Sequence, residues 1–174
     1  MVSLILALGT ALAAEAPAWE ADYDRQQKLA RLGFYSAAGG LGLVTASVVP
    51  IIASDGDQVV TVAVMPFAAI GTVSMIGGTT SSSIFAWRAA RSLRAGGVDV
   101  SNVPAIVGLV GVATFYGCAL LMPVIDETDL PYGVVAVPAY GALAAAYAGS
   151  FVQIRSNKRA YELHLGLARV DARW

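Results

Sequence analysis

Residues 103–125 read VPAIVGLVGVATFYGCALLMPVI, without one Asp, Glu, Lys, Arg or His. A helix crossing the hydrocarbon core of a bilayer needs about 20 such residues, so this stretch crosses without help from its flanks. Acids follow it at once, at Asp126, Glu127 and Asp129. Three further stretches, at about 32–54, 59–87 and 133–154, are equally free of ionisable side chains. The fold class expected is an all-α membrane protein of four transmembrane helices paired as two hairpins. The composition agrees: 57% of the residues are hydrophobic and 13% are charged, against about a quarter charged in soluble domains.

All 11 Lys and Arg residues fall outside the four stretches, in three places. Arg25, Lys28 and Arg31 precede the first. Arg88, Arg91 and Arg94 follow the second, and Arg155, Lys158, Arg159, Arg169 and Arg173 follow the fourth. The other two connections carry acids only, with Asp55 and Asp57 in the first. Such alternation is what the positive-inside rule produces in a multi-pass protein. It favours cytoplasmic termini, and the membrane expected is a bacterial inner membrane. The second stretch is longer than a bilayer requires. It reads as a span over 59–78, then a helix running on through Thr79-Thr80-Ser81-Ser82-Ser83 towards Arg94, where Gly96-Gly97 stops it.

The N-terminal segment opposes this orientation. Residues 1–14 are apolar and end in Ala11-Leu12-Ala13, a small-x-small pattern that reads as a signal-peptide cleavage site. No Lys or Arg precedes the apolar run. Cleavage would leave 15–31 outside the cytoplasm and every basic segment with it, against the charge count. Both readings stand at this point. The remaining divisions are a polar juxtamembrane segment over 15–31, the four-helix region over 32–154, and a tail over 155–174. In the tail, Leu163, Leu167, Val170 and Trp174 recur at helical spacing, which predicts a basic amphipathic helix lying on an anionic leaflet.

Pro50-Ile51-Ile52 and Pro123-Val124-Ile125 each precede an acidic loop, and Pro66 and Pro138 follow at similar spacing. A tandem repeat of a hairpin accounts for this, and so does convergence on a shared hairpin pattern. Glycine and alanine recur four apart at Gly141, Ala145 and Gly149, and at Ala38, Gly42 and Ala46. Such small-xxx-small faces predict close helix packing, within the chain or between copies. Trp19, Tyr23, Trp87, Tyr132 and Trp174 are placed for an aromatic belt at the interfaces. Tyr35, Tyr116, Tyr140 and Tyr147 lie in or near spans and need hydrogen-bond partners there.

Catalytic chemistry has little to stand on. No ionisable residue lies within a span, where such groups mark proton relays and ion pathways. His164 is the only histidine and reads as a solvated tail residue, too isolated for a metal site. Cys118 is the only cysteine. The glycine pairs inside spans lack the lysine of a phosphate loop, and the hydroxyls of 79–83 are expected to bond back to their own helix. No enzymatic activity, cofactor or metal is expected, and five tail cations without a stacking platform give no case for nucleic acid. The expected role is that of a small membrane subunit or scaffold, acting through helix packing and a basic cytoplasmic face. Arg88, Arg91, Arg94, Arg155, Lys158 and Arg159 are the candidate contacts to a protein partner or to anionic headgroups. The alternative is an oligomeric channel or facilitator for a small solute.

Overall fold

The computed structural model describes residues 17–126, 131 and 133–171. Within them all regular structure is helical: α1 (Ala18–Ala53), α2 (Gln58–Ala95), α3 (Val103–Asp126) and α4 (Gly133–Asp171). Each of the four is long and apolar enough to cross a membrane. The segment 1–14, Glu127 and Asp129 of the second acidic loop, Tyr132, Arg173 and Trp174 lie outside the described residues.

Three helices are much longer than the spans read from the sequence. At 1.5 Å per residue, α1, α2 and α4 measure about 54, 57 and 58 Å, against about 30 Å of hydrocarbon. Only α3, with 24 residues, has the length of a bare span. The juxtamembrane segment read as a separate piece is the first part of α1 from Ala18 onward. Tyr23, Gln27, Ala30, Gly33, Ala37, Gly40 and Ser47 form one buried seam through both parts of that helix. The tail likewise continues α4 without a break, past Gly166, rather than forming a helix of its own. Its Tyr161 packs on Tyr23 at 4.7 Å between ring centroids and on Trp19 at 6.4 Å. The extensions of α1, α2 and α4 therefore build a three-helix head, with Tyr23, Leu93, Val98 and Val100 in its core.

The helix ends follow from local chemistry. Asp55 (φ 51°) and Gly56 (φ 78°) turn the chain through left-handed conformations between α1 and α2. The Asp57 carboxylate then caps α2, accepting from the backbone N–H of Val59 at 2.8 Å and Val60 at 3.2 Å. The acids of this loop thus serve the fold as well as the charge pattern. Gly96 and Gly97 end α2 as the sequence predicts. Gly97 is left-handed (φ 79°), the Val98 N–H returns to the Leu93 carbonyl at 3.0 Å, and Val98 packs beside Leu93. That is a Schellman cap with its apolar contact.

Between the apolar parts of the helices the packing is inverted relative to a soluble protein. Large side chains point outward: Ile52 is 71% exposed, Val59 79% and Leu120 79%. Glycine, alanine and serine lie inside, which suits a surface bathed in hydrocarbon, where close backbone approach replaces the hydrophobic drive. Gly33 sits on Gly78 and Gly40 on Gly71, so α1 and α2 run antiparallel; a Cβ on Gly78 would stand 2.5 Å from the Ala37 nitrogen. In α3 and α4 the same role falls to Gly108, Gly111, Ala146 and Gly149, and a Cβ on Gly149 would stand 2.6 Å from the Pro104 carbonyl oxygen. Of the face expected at Gly141, Ala145 and Gly149, only Gly149 packs within the chain. Gly141 meets open space and Ala145 is exposed. Gly42 and Ala46 of α1 are exposed in the same way.

These two sets of glycines give opposite expectations. Gly78→Ala and Gly149→Ala force backbones apart and are expected to cost about 1–3 kcal/mol. Gly141→Ala and Gly42→Ala relieve helix flexibility and are expected to be neutral or stabilising by about 0.5–1 kcal/mol. Denaturation of the purified monomer in detergent distinguishes them, and equal effects at all four positions would contradict the packing described.

Candidate functional site

Among the described residues the cation-bearing end holds most of the polar contacts between helices, and uncharged amides organise its base. Gln153 of α4 accepts the Ala105 N–H with Oε1 at 2.9 Å. Its Nε2 donates to the Ser101 carbonyl at 2.9 Å and to Asn157 Oδ1 at 2.8 Å. Asn157 Nδ2 donates to the Ala86 carbonyl at 2.9 Å, and Gln27 Nε2 to the Ile154 carbonyl at 2.8 Å. All three side chains are buried. One turn deeper, the Ser83 and Ser150 hydroxyls meet at 2.7 Å. The sequence reading did not single out Gln27, Gln153 or Asn157. Their signal was present, as neutral amides in helical register with the small residues of the spans.

The Thr79–Ser83 run behaves as expected. Thr79, Thr80, Ser81 and Ser83 donate to carbonyls four residues earlier, at 2.7–3.0 Å. Thr80 also lies 3.4 Å from the Tyr116 hydroxyl, an interhelical approach of the kind the span tyrosines need. The Ser82 hydroxyl is buried without a partner.

Above this layer the cations stand on the outside of the head. Arg88, Arg91, Arg94, Arg155, Lys158 and Arg159 are all exposed. They do not converge. Arg88 and Arg91 border a groove of about 370 Å³ between α1 and α2, with Trp19, Asp22, Gln26 and Ser92. Arg155 and Lys158 join Arg31 in a second groove, of about 300 Å³, between α1 and α4. Arg159 borders a third, of about 460 Å³, beside the 97–101 connection with Asp99 and His164. Arg94 lines none of the three. Several cations lean on aromatic rings: Arg155 lies 4.4 Å from the Phe151 centroid, Arg88 5.8 Å from Phe85 and Arg91 6.0 Å from Trp87. At these distances the positive guanidinium is attracted to the negative face of the ring. Among the described residues the one ion pair is Lys158–Glu162, at 3.5 Å.

Asp22 is the acid of the first groove. The Ser92 hydroxyl donates to it, Gln26 Nε2 donates at 3.1 Å, and Arg25 and Arg88 stand near. The Ser92 hydrogen bond, then Gln26, hold its carboxyl below the usual carboxylate range. Two of the aromatics read for an interfacial belt, Trp19 and Tyr23, pack into the head. Tyr23 is 2% exposed, and Trp19 covers Gly96 and packs edge-on against His164 at 5.9 Å. His164 is therefore half-buried against an indole rather than free in solvent. No group of three or more His, Cys, Asp or Glu among the described residues is placed to hold a metal ion.

The chain is thus an all-helical protein with four candidate membrane-spanning helices and a packed, cation-studded head, the architecture of a multi-pass membrane protein. Comparison with protein-family models, curated proteins and solved structures finds no match.

The head carries its own pH limit. Burial raises the Tyr23 phenol from 10 to about 12, and donation to the Glu20 carboxylate, with burial, raises Tyr161 to about 12. Both lose their protons more readily when unfolded, so their contribution is intact below pH 10 and is lost as pH rises through about 12. In a tyrosinate absorbance titration in detergent, loss of Tyr23 by Tyr23→Phe and of Tyr161 by Tyr161→Phe should each remove amplitude from the late part of the curve, with melting falling in step with that late phase. Loss of amplitude near 10 in both variants would contradict the head packing.

Gln153 offers the sharper mutational test. Gln153→Leu leaves two buried groups, the Ala105 N–H and Asn157 Oδ1, without their partner and is expected to cost roughly 2–6 kcal/mol, at about 1–3 per unsatisfied buried group. Ser83→Ala, whose partner Ser150 keeps its own bond to the Ala146 carbonyl at 2.8 Å, should cost about 1 kcal/mol or less. Equal losses in detergent denaturation would remove the amide from its organising role.

Proposed function

We propose that the protein is a non-enzymatic subunit or scaffold of a bacterial inner membrane. It crosses as two hairpins, α1–α2 and α3–α4, with the basic head on the cytoplasmic side. The observation that carries this reading is the division of labour in the head. Its interior is filled by Tyr23, Leu93, Val98 and the amide network, while its cations are turned outward and largely free of acids. A rigid body with a free cationic surface suits docking of an acidic partner. The groove that best fits a protein lies between α1 and α2. There the cations Arg88 and Arg91 stand beside an indole, a carboxylate and an amide, and the Gln26 Oε1 is buried without a partner. The reading of the hairpins as tandem copies has support in register: Gly40 opposes Gly71 in one pair, and Gly111 opposes Ala142 and Ala146 in the other.

A second reading, an oligomeric channel or facilitator, draws on the small residues left open on the outer surface, Gly42 and Ala46 on α1 and Gly141 and Ala145 on α4. They leave room for helices of another copy to approach closely.

Arg88→Ala/Arg91→Ala/Arg94→Ala should abolish salt-sensitive co-purification of a defined partner in mild detergent, while insertion and melting are unchanged. Retention of that partner by the triple variant would overturn the docking surface. Solute flux through liposomes containing the purified protein alone would favour the channel instead. Protease access to the head from the outside of spheroplasts would reverse the orientation.

A further inference from the structure

We propose that the groove between α1 and α4 binds an anionic phospholipid, its phosphate held by Arg31, Arg155 and Lys158 and an acyl chain lying along Leu41, Tyr140 and Leu143. Two adjoining concavities make the site. At the head end is the groove with the three cations. Below it is an apolar cleft of about 330 Å³, lined by Leu41, Val44, Tyr140 and Leu143 among others. They adjoin at an aromatic stack: Phe34 of the upper groove lies 4.5 Å from Tyr147 of the cleft and 5.4 Å from Phe151. Of the helix pairs that touch, α1 and α4 are the most sparsely packed against each other, which leaves room for a ligand between them.

Depth and charge select the occupant. The cations stand where the apolar stretches end, at Leu32 on α1 and Ile154 on α4, the level of headgroups. From Arg31 to Val44 is about 20 Å along a helix, about two-thirds of a hydrocarbon core of about 30 Å. A ligand filling both concavities is therefore anionic at the interface and apolar through one leaflet. Carboxylates separate this groove from the other two at the head. Asp22 lines the α1–α2 groove and Asp99 the one beside the 97–101 connection, whereas no acid lines this one. The Lys158–Glu162 pair is exposed on both sides, at 56% and 61%, and such a pair yields readily to a phosphate. Basic pockets at the cytoplasmic ends of transmembrane helices are suited to anionic headgroups on these grounds.

The test uses the full chain, delipidated in neutral detergent, with phosphatidylglycerol and phosphatidylcholine of identical acyl chains and with glycerol phosphate as a chain-free probe. Binding is read by native mass spectrometry and by thermal shift. Phosphatidylglycerol should be retained in preference to phosphatidylcholine, and glycerol phosphate should neither bind nor compete. Arg31→Ala/Arg155→Ala/Lys158→Ala should weaken phosphatidylglycerol about 100-fold, at about five-fold per cation. Arg88→Ala/Arg91→Ala, on the other groove, should leave it unchanged. Ala144→Trp, at an exposed residue lining the cleft, should weaken both lipids by blocking the chain while all three cations remain. Equal retention of the two lipids overturns the proposal. So does competition by glycerol phosphate, an equal loss in the Arg88/Arg91 variant, or full binding by the Ala144→Trp variant.

Discussion

A buried amide at the foot of the head is the constraint on which the other contacts depend. The start of α3 presents backbone N–H groups that no preceding turn can satisfy, and it does so among apolar helices where an unpaired donor is costly. Gln153 answers from α4, taking the Ala105 N–H and returning hydrogen bonds to the Ser101 carbonyl and Asn157. Asn157 passes the link to α2 through the Ala86 carbonyl, and Gln27 ties α1 to α4 through the Ile154 carbonyl. Rotation of α4 by one residue would break the set together. The amides therefore determine which face of α4 looks inward over its whole length, and with it the Ser150, Ala146 and Ala142 contacts below.

The inward stripe of α4 changes its chemistry with depth. Ala142, Ala146 and Gly149 meet α3 by backbone approach; Gln153 hydrogen-bonds to α3, and Ser150 and Asn157 to α2; Tyr161 and His164 meet α1 through aromatic rings. Each suits its medium. In hydrocarbon, association depends on close van der Waals contact and satisfied polar groups. In water, burial of aromatic surface becomes worthwhile. The same succession runs along α1, from Gly40 and Ala37 through Gln27 to Tyr23 and Trp19.

Blocks of apolar sequence, the glycine stop at Gly96-Gly97 and the back-bonded hydroxyls of 79–83 were legible because each depends on a few neighbouring residues. The packing face of α4 was not. Ala and Gly are so dense there that small residues recur four apart in more than one register, and Gly141-Ala145-Gly149 is as good a pattern as the one used. Gln153 and Asn157 break the tie, since a buried amide three or four residues on must share the inner face. The unbroken run of α4 into the tail was hidden for a related reason: Tyr161 and His164, which meet Trp19, lie off the apolar stripe, and Leu163 on that stripe is 60% exposed. Unbroken register from Tyr23 and Gln27 into Gly33 and Ala37 is what argues for the head.

The cations look uniform in sequence, three residues apart in both basic segments, yet the fold gives them different surroundings. Arg88 and Arg91 share their groove with Asp22, whose carboxyl is held ionised by Ser92 and Gln26, so that surface offers donors, an acceptor and an indole at fixed positions. Directional recognition of a polypeptide uses such a mixture. Arg31, Arg155 and Lys158 have no acid in their groove, and an apolar cleft adjoins it, a surface that would select for charge and length but not for sequence. The two grooves share α1 as a wall and face different sides of it. A lipid held between α1 and α4 would therefore brace the helix that carries Trp19, Asp22 and Gln26 while leaving Arg88 and Arg91 uncovered. Occupancy of the bilayer-side groove and docking at the other are thus compatible, and α1 is the element through which one would influence the other.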